Sequence, residues 1–393
     1  RHTSHGSGAR HGYDPLKRAA FDVAILGAGA AGCATALALH AAGIENIALF
    51  DAGESLRSDW VGESLPPDVP GLLKALDLWD LFQVDGHEPC LGSCAAWGGP
   101  DLGYNDFLSN INGCGWHIHR PHFDQLLRRT VVARGIPLRP RHRLASVEAL
   151  AVGEGFQLRF SVENGMRNAT ARHVVDATGP RGAFARSVGS SSVRYDLLVF
   201  LTATVALADD AWLSRLTITE TVEDGWWYAA AIPGNRLSLA FATDPTISRT
   251  RRLDRPGEWL KALAATRHIS TRLADTPLGL GPLVVRAVSV SARERPCGAG
   301  WMAVGDAAAI YDPLGSEGLY KAIEDGIRAA EAIHASLRHG EDRSADYARR
   351  IAANTQDHLA LRQHFYALER QWPESLFWTN RLSKNRGGSR VAN

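Results

Sequence analysis

Near the start of the chain, Gly27-Ala28-Gly29-Ala30-Ala31-Gly32 places three glycines at the spacing that lets backbone approach a pyrophosphate. Gly27 would make the tight turn, Gly29 would admit the phosphates, and Gly32 would let a helix pack on a strand. Ala30 and Ala31 would open that helix, whose unpaired N–H groups stabilise an anion. Asp51 follows 19 residues after Gly32, near the spacing at which a carboxylate meets ribose hydroxyls. A lone GxGxxG is weak, so the elements around it decide. The run FDVAIL (residues 21–26) reads as a buried parallel strand. An Ala/Leu-rich helix then extends to about residue 42, Gly43 closes it, and residues 47–50 form a second strand. The complete βαβ unit makes this a dinucleotide site.

A second constellation lies far downstream. Residues 301–304 read as a strand leading into Gly305-Asp306-Ala307-Ala308, then Pro313, Gly315 and Gly318, then a helix from about residue 319. Asp306 is placed to accept a bond from a ribityl hydroxyl. Gly315 and Gly318 would bring N–H groups and a helix N-terminus towards a developing anion, such as the N1–C2=O edge of a reduced flavin. On its own this segment reads equally well as a strand-turn-helix with a capping aspartate. Beside a βαβ unit it reads as flavin contact.

The remaining elements must position these two loops. Residues 66–81 and 124–134 look helical, the latter introduced by His119-Arg120-Pro121, and residues 173–177 (HVVDA) look like another buried strand. Short alternating runs over residues 190–245 predict a separate antiparallel sheet. Residues 255–274 and 326–370 look helical. Residues 1–19 are expected to be a disordered tail. With 393 residues, 45% hydrophobic and 22% charged, the chain suits two or three interleaved domains of an ordinary globular enzyme. Its formal net charge of +1 gives no indication of a nucleic-acid partner. No stretch reaches the roughly 18 apolar residues of a membrane span. Cys33, Cys90, Cys94, Cys114 and Cys297 form no ligand-like cluster, so no metal is expected, and a reduced, cytoplasmic setting fits.

GAGAAG, VVDATGP and GDAAAIYDPLGSEGL, in this order, resemble the glutathione-reductase-type FAD fold of flavoprotein monooxygenases and flavin-dependent halogenases. The resemblance covers the region of residues 20–340. It implies an α/β fold: a Rossmann-type FAD-binding domain with an inserted antiparallel-sheet substrate domain and C-terminal helices. The FAD-binding domain is expected over residues 20–85, 112–189 and 285–340, the substrate domain over 86–111 and 190–284, and a helical region over 341–393. Arg120 matches the arginine that contacts FAD in that fold. Residues 60–67 (WVGESLPP) are similar to the GExxxP segment of the halogenase branch.

That branch also carries a WxWxIP strand, where this chain has Tyr228-Ala-Ala230-Ala-Ile232-Pro233, and it needs a lysine soon after the GExxxP helix. No lysine occurs between Lys74 and Lys261. Single-component aromatic hydroxylases carry a DG motif where this chain has Asp176-Ala-Thr178-Gly179, and no second GxGxxG marks an NAD(P)H domain. GESLPP, Gly115-Trp116-His117 through Phe123-Asp124, and GDAA…DPLGSEG instead resemble flavoproteins that mature quinone-bearing amine and amino-acid oxidases. That resemblance implies hydroxylation of an indole ring through a C4a-hydroperoxyflavin. The substrate would be a tryptophan in a partner protein, at the start of tryptophylquinone formation, with electrons from an external donor (NAD(P)H or reduced flavin).

Such chemistry asks the protein to position the ring, exclude water and handle a ring proton. Glu63, Glu317 and His117 are the acid/base candidates. Glu63 reads equally as a carboxylate bonding local backbone, and His117 as a structural histidine. Trp226, Trp227, Tyr228 and Trp97 are candidate pocket walls, or else sheet core. The competing readings are a flavin-dependent halogenase, a prenyl-chain reductase with a long apolar tunnel, and a non-catalytic flavin-binding chaperone.

Overall fold

The computed structural model describes residues 19–53, 64–151, 153–207, 215–273, 279–383 and 389–391. Glu63 therefore lies outside the described residues.

Val23, Ala24 and Ile25 are wholly buried, as expected for a strand covered on both faces. Their strand, Ala19–Leu26, sits in an eight-stranded sheet between Gly165–Asp176 and Ile47–Phe50, parallel to both. Trp301–Ala303 continues the parallel order on one side and Leu138–Arg139 on the other. Arg143–Ala149 and Phe156–Val162 extend it as an antiparallel meander. Register decides the function of this sheet. Leu26 pairs with both Phe50 and Asp176, and Asp176 pairs with Ala303. Four carboxyl ends are therefore level, and the loops that follow them open on one crevice, the place where such sheets bind ligands.

Helix Ala30–Ala41 packs against helices Arg120–Ala133 and Gly318–His339. Its contact with Gly318–His339 is a backbone approach, because a β-carbon at Gly326 would lie 2.6 Å from the Ala31 carbonyl oxygen.

A ten-stranded sheet forms the second layer. Its main order is Ala309–Ile310, Val284–Arg293, Ser192–Ala206, Arg236–Thr243, Gly225–Ile232, Leu216–Val222, Gly92–Ala96 and Gly103–Asp106. Gly279–Leu280 and Ser389–Val391 pair with the two ends of Ser192–Ala206. All pairings are antiparallel except that of Leu216–Val222 with Gly92–Ala96. One face buries Trp227, Phe241 and Leu239 against Trp259, Leu263 and Ile269, which come from helices Pro256–Ala264 and His268–Leu273. The other face buries Leu198, Phe200 and Trp226 against Tyr366, Phe377 and Trp378 of the C-terminal helices Ser344–Leu368 and Leu376–Ser383. A small sheet of Ser64–Leu65, Gly115–His117 and Glu88–Cys90 lies where the layers meet.

Several helices differ from their sequence expectation, each at an identifiable break. Residues 66–81 form two short helices, Val69–Ala75 and Trp79–Val84, parted at Asp77 with φ +54°. Residues 255–274 divide similarly into Pro256–Ala264 and His268–Leu273. The helix expected from about residue 319 begins at Gly318, and the helical stretch expected over 326–370 stops at Gly340 with φ +70° before restarting at Ser344. Gly340 is a left-handed C-cap, the commonest helix stop signal. Among the described residues no helix is long and apolar enough to cross a membrane.

The Gly326 approach yields a test. Gly326→Ala forces a methyl group onto the Ala31 carbonyl and the Thr35 amide, so the chain should lose about 1–3 kcal/mol of stability. Thermal or urea denaturation will show this, and a variant as stable as the parent would contradict the packing described.

Candidate functional site

The first loop is shaped by what its glycines cannot carry. Gly27 has φ +106°, and a β-carbon there would lie 2.2 Å from the Ala177 carbonyl oxygen. A β-carbon at Gly32 would lie 2.0 Å from the Gly27 carbonyl oxygen. Gly29 is the opposite case: it is exposed, and nothing lies within 4 Å of where its β-carbon would be. Open space thus faces the N-terminus of helix Ala30–Ala41, where Ala30 and Ala31 supply the first N–H groups. That is the cradle a pyrophosphate needs.

Asp51 projects from the end of the next strand. Its Oδ2 accepts from the Ala28 amide at 3.2 Å and from Arg128 at 2.8 Å, while Oδ1 accepts from the Gly53 amide at 2.8 Å. A carboxylate has about four lone-pair sites, so one remains for a ribose hydroxyl. Arg128 was missed from sequence. It lies two turns beyond Arg120 on helix Arg120–Ala133, a spacing with no signature unless the helix face is known. Arg120 pairs with Asp124 at 3.0 Å and also acts electrostatically on Asp306, so the first and second loops converge here.

In the second loop Gly305 takes φ +59° and sits so close to helix Ala30–Ala41 that its β-carbon would be 3.0 Å from that of Ala31. Its amide donates to Asp325 Oδ2 at 3.1 Å and its carbonyl accepts from Lys321 Nζ at 2.8 Å. Lys321 and Asp325 pair at 3.0 Å, both buried on helix Gly318–His339, so one ion pair clamps both polar groups of the glycine. Arg293 grips the other side of the turn, donating to the carbonyls of Ala307 at 2.9 Å and Ser190 at 2.6 Å. Asp306 between these clamps is accessible to solvent yet crowded by protein. Desolvation pushes its pKa up, against the opposing pull of Lys321 and then Arg120.

Pro313–Gly315 forms a single 3-10 turn, Ser316 follows in the left-handed region at φ +52°, and the helix begins at Gly318. Gly315 and Gly318 are exposed, and nothing lies within 4 Å of a β-carbon at Gly318. Two helix N-termini, each fronted by an open glycine, therefore flank an accessible aspartate. These residues fit FAD: Gly29 and Asp51 suit its nucleotide half, Asp306 and Gly318 its ribityl chain and ring. Asp176 takes a different part. Its Oδ1 accepts from the amide and hydroxyl of Thr178, and Oδ2 from the Ala185 amide, so both oxygens are committed to holding its own loop.

On the side of the antiparallel sheet, Ser64 Oγ lies 2.7 Å from Tyr228 Oη and 3.2 Å from Thr217 Oγ1, and Thr217 lies 3.0 Å from His117 Nε2. Tyr228 is half-buried at the rim of the core shared with Leu314 of the flavin loop, so the phenol stands on that side of the sheet. His117 is buried, and desolvation lowers its pKa to about 4. It is a neutral imidazole at the end of a hydrogen-bonded chain. Glu317 is partly exposed at the start of helix Gly318–His339, 3.4 Å from His358 Nδ1. Of the other aromatic wall candidates, Trp226 and Trp97 pack in the same cluster as Tyr228, and Trp227 lies on the opposite face of the sheet. Trp227 stacks on Phe241 at 4.7 Å under helix Pro256–Ala264. Trp226 donates to Tyr366 at 3.1 Å, and Trp97 donates to the Phe365 carbonyl at 2.6 Å, so both hold the C-terminal helices. Adjacent strand residues face opposite ways, which is why Trp226 and Trp227 occupy different cores.

The sequence profile of the FAD binding domain family matches residues 20–359, and the chain belongs to that family. It is 26% identical over 363 residues to the putative FAD-dependent oxidoreductase LodB of Marinomonas mediterranea, covering 92% of this chain and 96% of that one. It is 25% identical over 347 residues to the flavin-dependent halogenase GsfI of Penicillium aethiopicum, covering 80% of this chain but 64% of the halogenase. Among solved structures, the myxobacterial chondrochloren halogenase CndH shares the fold, with a TM-score of 0.82 at 21% identity over 92% of this chain and 86% of that one. The chain is an FAD-dependent oxidoreductase with a Rossmann-like cofactor domain.

Two outcomes follow from this geometry. Asp306→Ala should weaken FAD binding about ten- to a hundredfold, the cost of a charged hydrogen-bond partner, while leaving the melting temperature of the FAD-free protein unchanged or raised. Flavin fluorescence titration and calorimetry would show a structural role instead if the FAD-free protein were destabilised. Burial of neutral His117 also predicts acid sensitivity. The unfolded chain binds a proton near the ordinary value of 6.5 and the folded chain only at about 4, so stability falls as pH drops across that window. His117→Asn should flatten that slope in melting curves taken between the two values.

Proposed function

We propose that this FAD-dependent oxidoreductase is a monooxygenase that hydroxylates an indole ring, that of a tryptophan in a protein substrate during tryptophylquinone maturation. The observation that carries this reading is the state of the lysines. Halogen transfer calls for a free ammonium in the cleft. Lys74 is exposed over the Trp79 ring at 5.6 Å, Lys261 pairs with Glu258 on the surface, and Lys321 is buried between Gly305 and Asp325. The other two, Lys17 and Lys384, lie outside the described residues.

Reduced FAD supplies oxygen activation. The protein contributes placement and proton handling. The open glycines and helix N-termini hold the cofactor's anionic parts, and Tyr228 with Ser64 presents hydroxyls to the ring from the substrate sheet. Glu317 accepts the proton that the ring loses, with Glu63 as the alternative acceptor from the neighbouring segment. His117 keeps Thr217, and through it Ser64, in one hydrogen-bonded arrangement. In this reading an external donor, NAD(P)H or reduced flavin, supplies the reducing equivalents, in keeping with a sequence that shows one GxGxxG.

A halogenase is the second reading, favoured by the names of several relatives. One assay separates them. The chain is loaded with FAD and given a reductant, oxygen and a tryptophan-bearing precursor of a quinone-dependent oxidase or dehydrogenase, with and without bromide. Mass spectrometry should find one or two added oxygen atoms on the tryptophan, unaffected by bromide; a brominated tryptophan would sink the proposal. Glu317→Gln should reduce turnover about 10²–10⁴-fold with FAD content unchanged, the range for a lost acid/base group.

A further inference from the structure

Three residues one turn apart on helix Ser344–Leu368, His358, Arg362 and Tyr366, share one face and converge on a single target, Asp312 at the mouth of the flavin loop. His358 Nε2 accepts the Asp312 amide at 2.9 Å, and its ring stacks on Tyr311 at 4.1 Å. Arg362 Nε donates to Asp312 Oδ2 at 2.8 Å and Tyr366 Oη donates to the same oxygen at 3.1 Å. Asp312 Oδ1 accepts the Leu314 amide at 3.1 Å, which caps the Pro313–Gly315 turn. The buried charges continue outward. Arg362 also pairs with Asp196 on strand Ser192–Ala206, Asp196 pairs with Arg381 at 3.0 Å, and Arg381 pairs with Asp244 at 2.7 Å.

Such a chain is a poor way to gain stability. Ion pairs buried this deeply gain little over apolar side chains of the same volume, so specificity of arrangement is the better account of them. What they arrange is the turn that leads, through the left-handed Ser316, to the N-terminus of helix Gly318–His339. We infer that Arg362, with His358 and Tyr366, is a positioning residue that aims the Gly315–Gly318 backbone at the flavin and so sets its reduction potential. This rests on the reading that these N–H groups face the N1–C2=O edge, where negative charge accumulates on reduction. N–H groups held in place stabilise the reduced cofactor more than the oxidised one. A loosened turn loses that difference while still binding FAD through Asp51, Asp306 and the first loop.

The experiment is a spectroscopic redox titration of the FAD-loaded protein. Arg362→Met should weaken binding of reduced FAD about tenfold relative to oxidised FAD, which lowers the two-electron potential by about 30 mV. Tyr366→Phe and His358→Gln should shift it in the same direction by less. Asp244→Asn is the control: it breaks a buried pair at the far end of the same chain without touching the turn, and should leave the potential in place. Should Arg362→Met fail to fold, Tyr366→Phe, which keeps the ring, decides the matter. A wild-type potential in the folded variants, or an equal shift in Asp244→Asn, overturns the inference. Gly318→Val tests the premise separately, because it alters the N-terminus directly. If it too leaves the potential unchanged, the edge does not lie there; if it shifts the potential while Arg362→Met and Tyr366→Phe do not, the fault lies with the positioning role.

Discussion

Helix Ala30–Ala41 approaches its surroundings backbone to backbone, and the site exists because of that approach. Gly32 lies against the Gly27 carbonyl, Gly326 against the Ala31 carbonyl, and Gly305 against the Ala31 β-carbon. Three contacts with no room for a side chain bring one helix against its own strand, a second helix and the second cofactor loop. The two loops whose residues fit FAD are separated by most of the chain, yet both rest on the first two turns of this helix. Its Ala-rich composition is what such closeness requires, since a bulkier residue on any contacting face would push one loop away from the other.

The level carboxyl ends of the parallel strands provide the direction and the buried charges provide the fine placement. A net charge of +1 conceals how those charges are used. The Lys321–Asp325 pair and Arg293 hold the Gly305–Ala307 turn from opposite sides, and Asp306 is left accessible between them at a raised pKa. Desolvating a carboxyl is costly in the free protein and becomes useful once a ribityl hydroxyl can donate to it.

The C-terminal helices change the meaning of the aromatic residues. Trp97 and Trp226, expected as walls of a pocket for an indole or else as sheet core, pack with Tyr366, Phe377 and Trp378 in one aromatic core. Through that core the antiparallel sheet carries the helix whose His358 and Arg362 meet Asp312. The two layers are thus joined by residues that belong to neither cofactor motif. The Tyr228 phenol meets Ser64 at the rim of the same core.

Local sequence was sufficient for the backbone shape of both glycine loops. Gly27 to Gly32, Asp51, and the turn from Gly305 to Gly318 are legible because a phosphate cradle or a helix N-terminus is built from neighbouring residues, with conformations only certain residue types allow. The broad split into a parallel sheet and an antiparallel one was equally legible, since period and composition report burial on one face or two. The rest depended on residues far apart in the chain. Arg128 reaching Asp51, Lys321 and Asp325 closing on Gly305, and Arg362 closing on Asp312 have no signature of their own. Each is an ordinary charged residue on a helix until the helix is packed. Whether Trp226 or Trp227 faces the cleft depends on strand alternation and on what covers each face of the sheet. A sequence specifies which residues can do chemistry through their own backbone; which side chains meet is decided by packing, because contacts across a core are set by geometry rather than by spacing.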